Sequence, residues 1–200
     1  MQDLNNQDKG ELENNIESQE IEIEENNKKG NNKKEMPFIF ELIIVVAIAL
    51  FIRFFIFNIT HVSGMSMVPT LNDGDILITE RVSLFFKEAE IGDVVVIKAP
   101  DNSGDNYIKR VIAKSGDRVE LKDGEVFVND LKLDEDYTNY DPTLSLNGET
   151  SWVLNDGEYF VMGDNRAHSN DSRAFGKIEK SRVKGISVFR LFPFNRIGKL

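Results

Sequence analysis

Cysteine is absent from this chain. That excludes disulfides, a thiol nucleophile, and cysteine-held zinc or iron–sulfur centres. Histidine is nearly absent, with only His61 and His168, so a histidine-rich metal site is excluded too. No cofactor or metal is expected. An excess of positive charge is also lacking: 24 Lys and Arg face 34 Asp and Glu, for a net charge of −10. Phosphate backbones bind basic surfaces, so no nucleic-acid partner is expected. Aromatic residues are missing from the first 35 positions, and sustained helical periodicity is missing after position 60. What remains is a polar tail (1–35), an apolar segment (36–60) and a mixed segment (61–200). Only the last is long enough to bury a core of its own.

The tail carries ten acids against five bases. It has too little apolar surface to offset its ordering entropy, and disorder is the expectation. The next run, Pro37 to Ile59, is apolar on every side for 23 residues. As a helix it would span roughly 34 Å, against about 30 Å of bilayer hydrocarbon. Glu41 lies one turn from its start, and Arg53 can snorkel outward. Its length, and the 35 polar residues ahead of it, exceed a usual cleavable signal peptide. Val62-Ser63-Gly64 is nevertheless a passable cleavage site. Lysines 28, 29, 33 and 34 precede the run, and the next base past it is Arg81. The positive-inside rule predicts a single-pass protein with a cytoplasmic N-terminus and an extracytoplasmic C-terminal domain.

Past residue 60, short β-branched and aromatic runs alternate with turn signals. Asp75–Thr79, Asp93–Ile97 and Tyr107–Ala113 read as strands, as do Trp152–Leu154, Tyr159–Met162 and Val183–Phe192. Arg118–Leu121 and Glu125–Val128 flank Asp123-Gly124, the strongest hairpin signal in the chain. Asn129-Asp130 then leads into Leu131–Leu133. The fold class predicted is all-β, antiparallel, of roughly nine strands. Residues 134–149 are acidic and poor in large aliphatics, and read as a surface loop or small insertion.

Three islands carry chemistry. The first is Ser63-Gly64-Met65-Ser66-Met67-Val68-Pro69-Thr70-Leu71. The second is Tyr107-Ile108-Lys109-Arg110-Val111. The third runs Gly163-Asp164-Asn165-Arg166-Ala167-His168-Ser169-Asn170-Asp171-Ser172-Arg173. On a strand, Lys109 shares its face with Tyr107, Val111 and Ala113. A free lysine titrates near 10.4, so only about one in 2,500 is neutral at pH 7. Burial among apolar neighbours lowers that pKa and turns the amine into a base for a serine hydroxyl. From the strand alone, a paired or snorkelling lysine is the commoner reading. Ser66 alone reads equally as a turn residue, and the third island as a hydrogen-bonded turn network.

Taken together and in order, the islands resemble bacterial type I signal peptidase. The resemblance covers nearly everything from Pro37 to the C-terminus. Gly92-Asp93-Val94-Val95 matches a fourth, weaker box. It implies a membrane-anchored all-β serine endopeptidase that removes signal peptides from exported preproteins after Ala-x-Ala sites. Ser66 would be the nucleophile and Lys109 the general base. Ser169 would hydrogen-bond and orient the lysine. Asp171 would support the third island through a salt bridge to Arg173. The Ser66 N–H would supply one oxyanion donor. Some relatives have a serine at the position of Gly64 as the second donor, so here that donor is open between Ser63, one residue away, and a backbone amide. Met67, Leu71, Tyr107 and Ile108 would line pockets for small side chains. The partners implied are signal-peptide-bearing preproteins, the lipid bilayer and the neighbourhood of the secretion channel. Phe85-Phe86 and Leu191-Phe192-Pro193-Phe194 are candidates for a bilayer-touching surface, although core packing is the commoner fate of such residues.

Three other readings compete. A Ser/His/Asp triad would need His61 or His168. A self-cleaving repressor would share the Ser/Lys pair but carry a DNA-binding module, where this chain has an apolar anchor. A non-catalytic, membrane-anchored β-domain binding protein would keep the fold without the reaction.

Overall fold

The computed structural model describes residues 38–51, 57–101, 103–139 and 142–200. The tail, residues 36–37 and residues 52–56 lie outside the described residues, and with them the expectation of a disordered tail. The chain divides into two compact units, 1–47 and 48–200.

Helix α1 spans Phe38–Phe51, 14 residues and about 21 Å of rise. No helix among the described residues is long and apolar enough to cross a membrane. The expected helix over Pro37–Ile59, and the 36–60 segment drawn around it, therefore need correction at the far end. Phe57 to Thr60 belong to a strand, β1 (Phe57–His61). It pairs antiparallel with β2 (Ile76–Glu80), Phe57 opposite Glu80 and His61 opposite Ile76. Thr60 and Thr79 hydroxyls meet across the pair at 2.9 Å. An unbroken apolar run hides where a helix stops and a strand starts, because hydropathy alone does not separate the two.

The remaining elements follow in order: α2 (Ser83–Phe86), β3 (Val94–Lys98), β4 (Asn106–Ala113), β5 (Arg118–Lys122), β6 (Glu125–Val128), β7 (Leu131–Lys132), β8 (Ser151–Val153), β9 (Glu158–Met162), α3 (Ser172–Phe175), β10 (Ile178–Glu179), β11 (Val183–Phe192) and β12 (Gly198–Lys199). All nine strands expected from the sequence form. The two others missed, β10 and β12, are two residues each. Every pairing is antiparallel. The larger sheet runs β1-β2-β11-β3-β4-β9-β10, with β12 beside β11, and the smaller runs β7-β6-β5-β8.

Turn chemistry explains the smaller sheet. Asp123 (φ 53°) and Gly124 (φ 82°) both take positive φ, as a tight two-residue hairpin requires. The chain passes between the sheets twice, at Ser115-Gly116-Asp117 and at Asn155-Asp156-Gly157. The crossings are stitched together: Gly116 N–H donates to Leu154 O (3.0 Å), Leu154 N–H to Asp117 O (2.9 Å), and Gly157 N–H to Ser115 Oγ (2.9 Å).

The buried apolar residues form three clusters. Ile112, Val119, Val126, Trp152 and Phe160 belong to one that joins the two sheets. Val95, Ile97, Val111, Tyr159 and Ile178 belong to a second. Val62, Met67, Leu71, Leu77, Val94, Val96 and Ile108 form a third, which underlies the first island. β4 thus has apolar neighbours on both faces. A register shift between Val111 and Ala113 breaks its alternation, so Ala113 leaves the face of Lys109 and joins the inter-sheet cluster.

Candidate active site

The first island is a compact turn after β1. Val68 N–H donates to Met65 O (3.2 Å) and Leu71 N–H to Met67 O (2.8 Å). Met67 and Leu71 point into the core and are fully buried, which fixes the turn from below. Gly64 has φ +91°, a conformation that L side chains rarely adopt. Its N–H donates to Asp73 Oδ1 (2.8 Å). At the far end of the turn, Arg190 Nη1 donates to Thr70 O (2.7 Å), and Arg196 Nη2 to Pro69 O (3.2 Å) and Thr70 O (3.1 Å). Asp75 Oδ2 accepts from Arg190 at 3.2 Å. Neither arginine was found from sequence, because both lie far away along the chain.

Lys109 occupies the middle of β4, opposite Val95 of β3. It is 3 % exposed. Its Nζ donates to Ser66 Oγ at 2.9 Å and to Ile108 O at 3.1 Å. Burial drives its pKa down to about 8, against the pull of Asp171 and Asp164. Arg173 adds a smaller downward push. With a pKa near 8, roughly one amine in ten is neutral at pH 7.

The third island wraps the first from above. Asn165 holds the nucleophile turn twice: its N–H donates to Ser66 O (3.0 Å) and its Nδ2 to Met65 O (3.0 Å). Gly163 is pressed against the same carbonyl. A Cβ there would overlap Ser66 O and Ser169 Oγ, so glycine is needed for space. Asp171 accepts from Gly163 N–H at 3.0 Å. It forms a two-pronged pair with Arg173, Nε to Oδ1 at 2.8 Å and Nη2 to Oδ2 at 2.9 Å, both side chains being buried. That is the salt bridge the resemblance implied. Asp164 makes a similar pair with Arg110 (2.9 and 2.6 Å).

Two expectations need correction. Ser169 is buried, but its Oγ makes no hydrogen bond among the described residues; the expected bond to Lys109 is not formed, and the lysine is oriented instead by Ile108 O and Ser66 Oγ. Leu71 lines neither hollow beside Ser66, because its side chain is spent on the core beneath the turn.

The two hollows meet at the Ser66–Lys109 pair. One, about 290 Å³, is lined by residues 59–63, Ser66, Met67, Val96, Asn106, Tyr107, Ile108 and Lys109. The other, about 260 Å³, is bordered by Ser63, Gly64, Met65, Tyr107, His168 and Asn170. Met67, Tyr107 and Ile108 are thus brought to the site. His61 and His168 border it as well, yet Ser66 Oγ is bonded to the lysine and to no histidine among the described residues. Among the described residues no group of acids and histidines could hold a metal ion.

An all-β frame that holds a serine hydroxyl against a buried, easily deprotonated amine has the equipment of a serine hydrolase with a lysine base. Comparison with known proteins narrows the class. The pattern for the family described as signal peptidase, peptidase S26, matches residues 36–192. Signal peptidase I of Bacillus licheniformis is 40 % identical over 182 residues, covering 86 % of this chain and 97 % of that protein. Signal peptidase IB of Staphylococcus aureus (strain COL) is 39 % identical over 182 residues, covering 82 % and 93 %. The solved structure of a signal peptidase I from Enterococcus faecalis V583 is 31 % identical and covers 50 % of this chain and 97 % of that one, with a TM-score of 0.43. The chain belongs to the signal peptidase family, peptidase S26.

Proposed function

We propose that this chain is a serine endopeptidase that removes N-terminal signal peptides from preproteins, with Ser66 as nucleophile and Lys109 as general base. The observation that carries the assignment is the 2.9 Å contact between Lys109 Nζ and Ser66 Oγ, made by an amine whose burial lowers its pKa to about 8. The neutral amine takes the hydroxyl proton as Oγ attacks the scissile carbonyl, then passes it to the departing amine. A water molecule, activated by the same lysine, releases the acyl group.

The tetrahedral intermediate needs donors aimed at its oxyanion. The Ser66 N–H has no acceptor among the described residues and is the first donor. The Gly64 N–H is occupied by Asp73. The exposed Ser63, which borders both hollows, is the candidate for the second, with another backbone amide as the alternative. The substrate binds extended, its alternate side chains entering the hollow walled by Met67, Val96 and Ile108. That wall is apolar, and the hollow's modest size suits Ala-x-Ala. Asp171 and Arg173 hold Gly163, and through it the Ser66 turn.

The apolar run is the membrane anchor in this reading. Residues 37–56, ahead of β1, number 20 in the sequence, about the length a crossing needs. The four lysines before them put the N-terminus in the cytoplasm and the catalytic unit outside. Phe85, Phe86 and Phe194 are each more than three-quarters exposed, which favours a bilayer-touching role over core packing. Anchoring enzyme and substrate in one membrane, near the secretion channel, raises their effective concentration. The binding-protein reading is not favoured, since it gives no reason to bury an amine against Ser66.

The test is incubation of the detergent-solubilised full chain with a preprotein bearing an Ala-x-Ala site. Cleavage after that site is expected, lost in Ser66→Ala and Lys109→Ala and retained in His168→Ala. Loss in His168→Ala with activity in Lys109→Ala would overturn the assignment.

A further inference from the structure

Segment 134–149 holds neither nucleophile nor base, and the sequence marks it only as an acidic insertion. Its side chains nevertheless reach into the third island. Glu135 accepts two bonds from Arg166, at 3.1 and 2.5 Å. Thr143 Oγ1 accepts a third from the same guanidinium at 2.7 Å. Arg166 is 1 % exposed at its side chain, and its Nε donates to Gly163 O at 3.1 Å. Gly163 is the residue with no room for a Cβ against Ser66 O and Ser169 Oγ. A second line runs through Tyr137. Its hydroxyl donates to Glu135 Oε1 at 3.0 Å, and its ring lies 4.1 Å from the Arg110 guanidinium carbon. Arg110 is the strand neighbour of Lys109 and pairs with Asp164, the neighbour of Gly163. Arg173 donates to Leu144 O at 3.3 Å. The segment thus grips three arginines, each of which grips the frame around Ser66 and Lys109.

We infer that the described residues of this segment, 134–139 and 142–149, are a positioning strap for the Ser66–Lys109 pair, with Glu135 as the main positioning residue, acting through Arg166 and Gly163. The inference rests on the dyad reading above. The physics is that of a buried ion pair. Removing Glu135 leaves a desolvated guanidinium uncompensated. Arg166 then reorients toward water, Gly163 O loses its donor, and the packing of Gly163 on Ser66 O and of Asp171 near Lys109 loosens. Small displacements at the reacting atoms are costly in rate, about 100-fold for 1 Å.

The experiment compares full-length Glu135→Ala, Glu135→Gln, Tyr137→Phe, Glu149→Ala and Ser66→Ala on a preprotein with an Ala-x-Ala site, measuring kcat, KM and the pH dependence of kcat/KM. Glu135→Ala is expected to lose about tenfold or more in kcat, with KM within about twofold. Its acid limb should move upward from about 8, because a less tightly enclosed lysine returns toward its ordinary value. Glu135→Gln keeps one oxygen for Arg166 and falls between Ala and the parent, and Tyr137→Phe falls nearer the parent. Glu149→Ala, exposed on the same segment, should match the parent. Should Glu135→Ala fail to fold, Glu135→Gln carries the same comparison. The strap is overturned if these variants lower only the melting temperature, or raise KM at unchanged kcat, while the acid limb stays in place. Ser66→Ala separates the two readings. If it still cleaves, the dyad assignment fails. If it is inactive while the Glu135 variants match the parent, only the strap fails.

Discussion

Charge is handled in opposite ways at the two ends of the catalytic unit. On the smaller sheet, Arg118 pairs with Asp130 and Lys132 with Glu125 at the surface, every side chain at least two-fifths exposed. Around Ser66 and Lys109, Asp171 pairs with Arg173, Asp164 with Arg110 and Glu135 with Arg166, every side chain at most 13 % exposed. Surface pairs contribute little, about 0–1 kcal/mol, because water screens them and both side chains lose freedom. Buried pairs give up hydration, and well-packed apolar residues of similar volume are often as stable. Three such pairs around one serine and one lysine are therefore poor evidence for stability. They make sense as devices of position: Asp171–Arg173 and Glu135–Arg166 each hold a backbone amide or carbonyl of the third island, and Asp164–Arg110 ties that island to β4 and to Gly92 O. The contrast separates a region built to fold from a region built to aim.

The sharpest way to break the contrast is Asp171→Ala. It strands Arg173 without its acid and frees the Gly163 N–H, so a loss of about 3–5 kcal/mol is expected, along with loss of cleavage. Urea unfolding read against activity checks it; a loss no larger than a surface pair's would show that burial gives this pair no special weight. Next in size is Lys109→Met. A lysine whose native pKa is lowered to about 8 binds fewer protons folded than unfolded between 8 and about 10.5. Stability of the parent therefore rises with pH across that window, and the full penalty, about 3 kcal/mol, is present below it. Methionine escapes the penalty but forfeits two hydrogen bonds worth about 1 kcal/mol each. The inactive variant should be the more stable at pH 7 by about 1 kcal/mol, with the advantage shrinking as pH climbs past 8. An advantage that does not change with pH would mean that the amine is not held desolvated. The smallest effect belongs to Lys132→Ala on the smaller sheet. A change within about 0.5 kcal/mol and unaltered kcat/KM are expected; a larger loss of activity would erase the distinction between the two regions.

How much of this was legible in the sequence follows from the range of the interactions. Strands and tight turns are local, so Asp123-Gly124 and the nine main runs could be read directly. β1 was hidden inside the apolar run, because Phe57 and Ile59 look the same in lipid as against a strand. The pairing that decides the matter is with β2, nearly twenty residues on. At the site, Ser66, Lys109 and Asp171 were found through the resemblance of their islands, and the Asp171–Arg173 pair joins near neighbours. The grips of Asn165 on Ser66 O, of Arg190 and Arg196 on the turn, and of Glu135 on Arg166 join residues 31 to 127 positions apart, which no local pattern reveals. Leu71 was misjudged for a related reason. Its motif matches a pocket-lining position, but only the fold shows its side chain committed to the core.

The proposed reaction depends on one buried amine, and the pH dependence of kcat/KM on a preprotein substrate reads it most directly. The acid limb should fall near the lysine value of about 8, with activity rising as pH rises through it, because the neutral amine is the active form. Lys109→Ala should leave no cleavage to profile. A limb near 6.5, the range of an ordinary histidine, which moves or disappears in His168→Ala, would contradict the account.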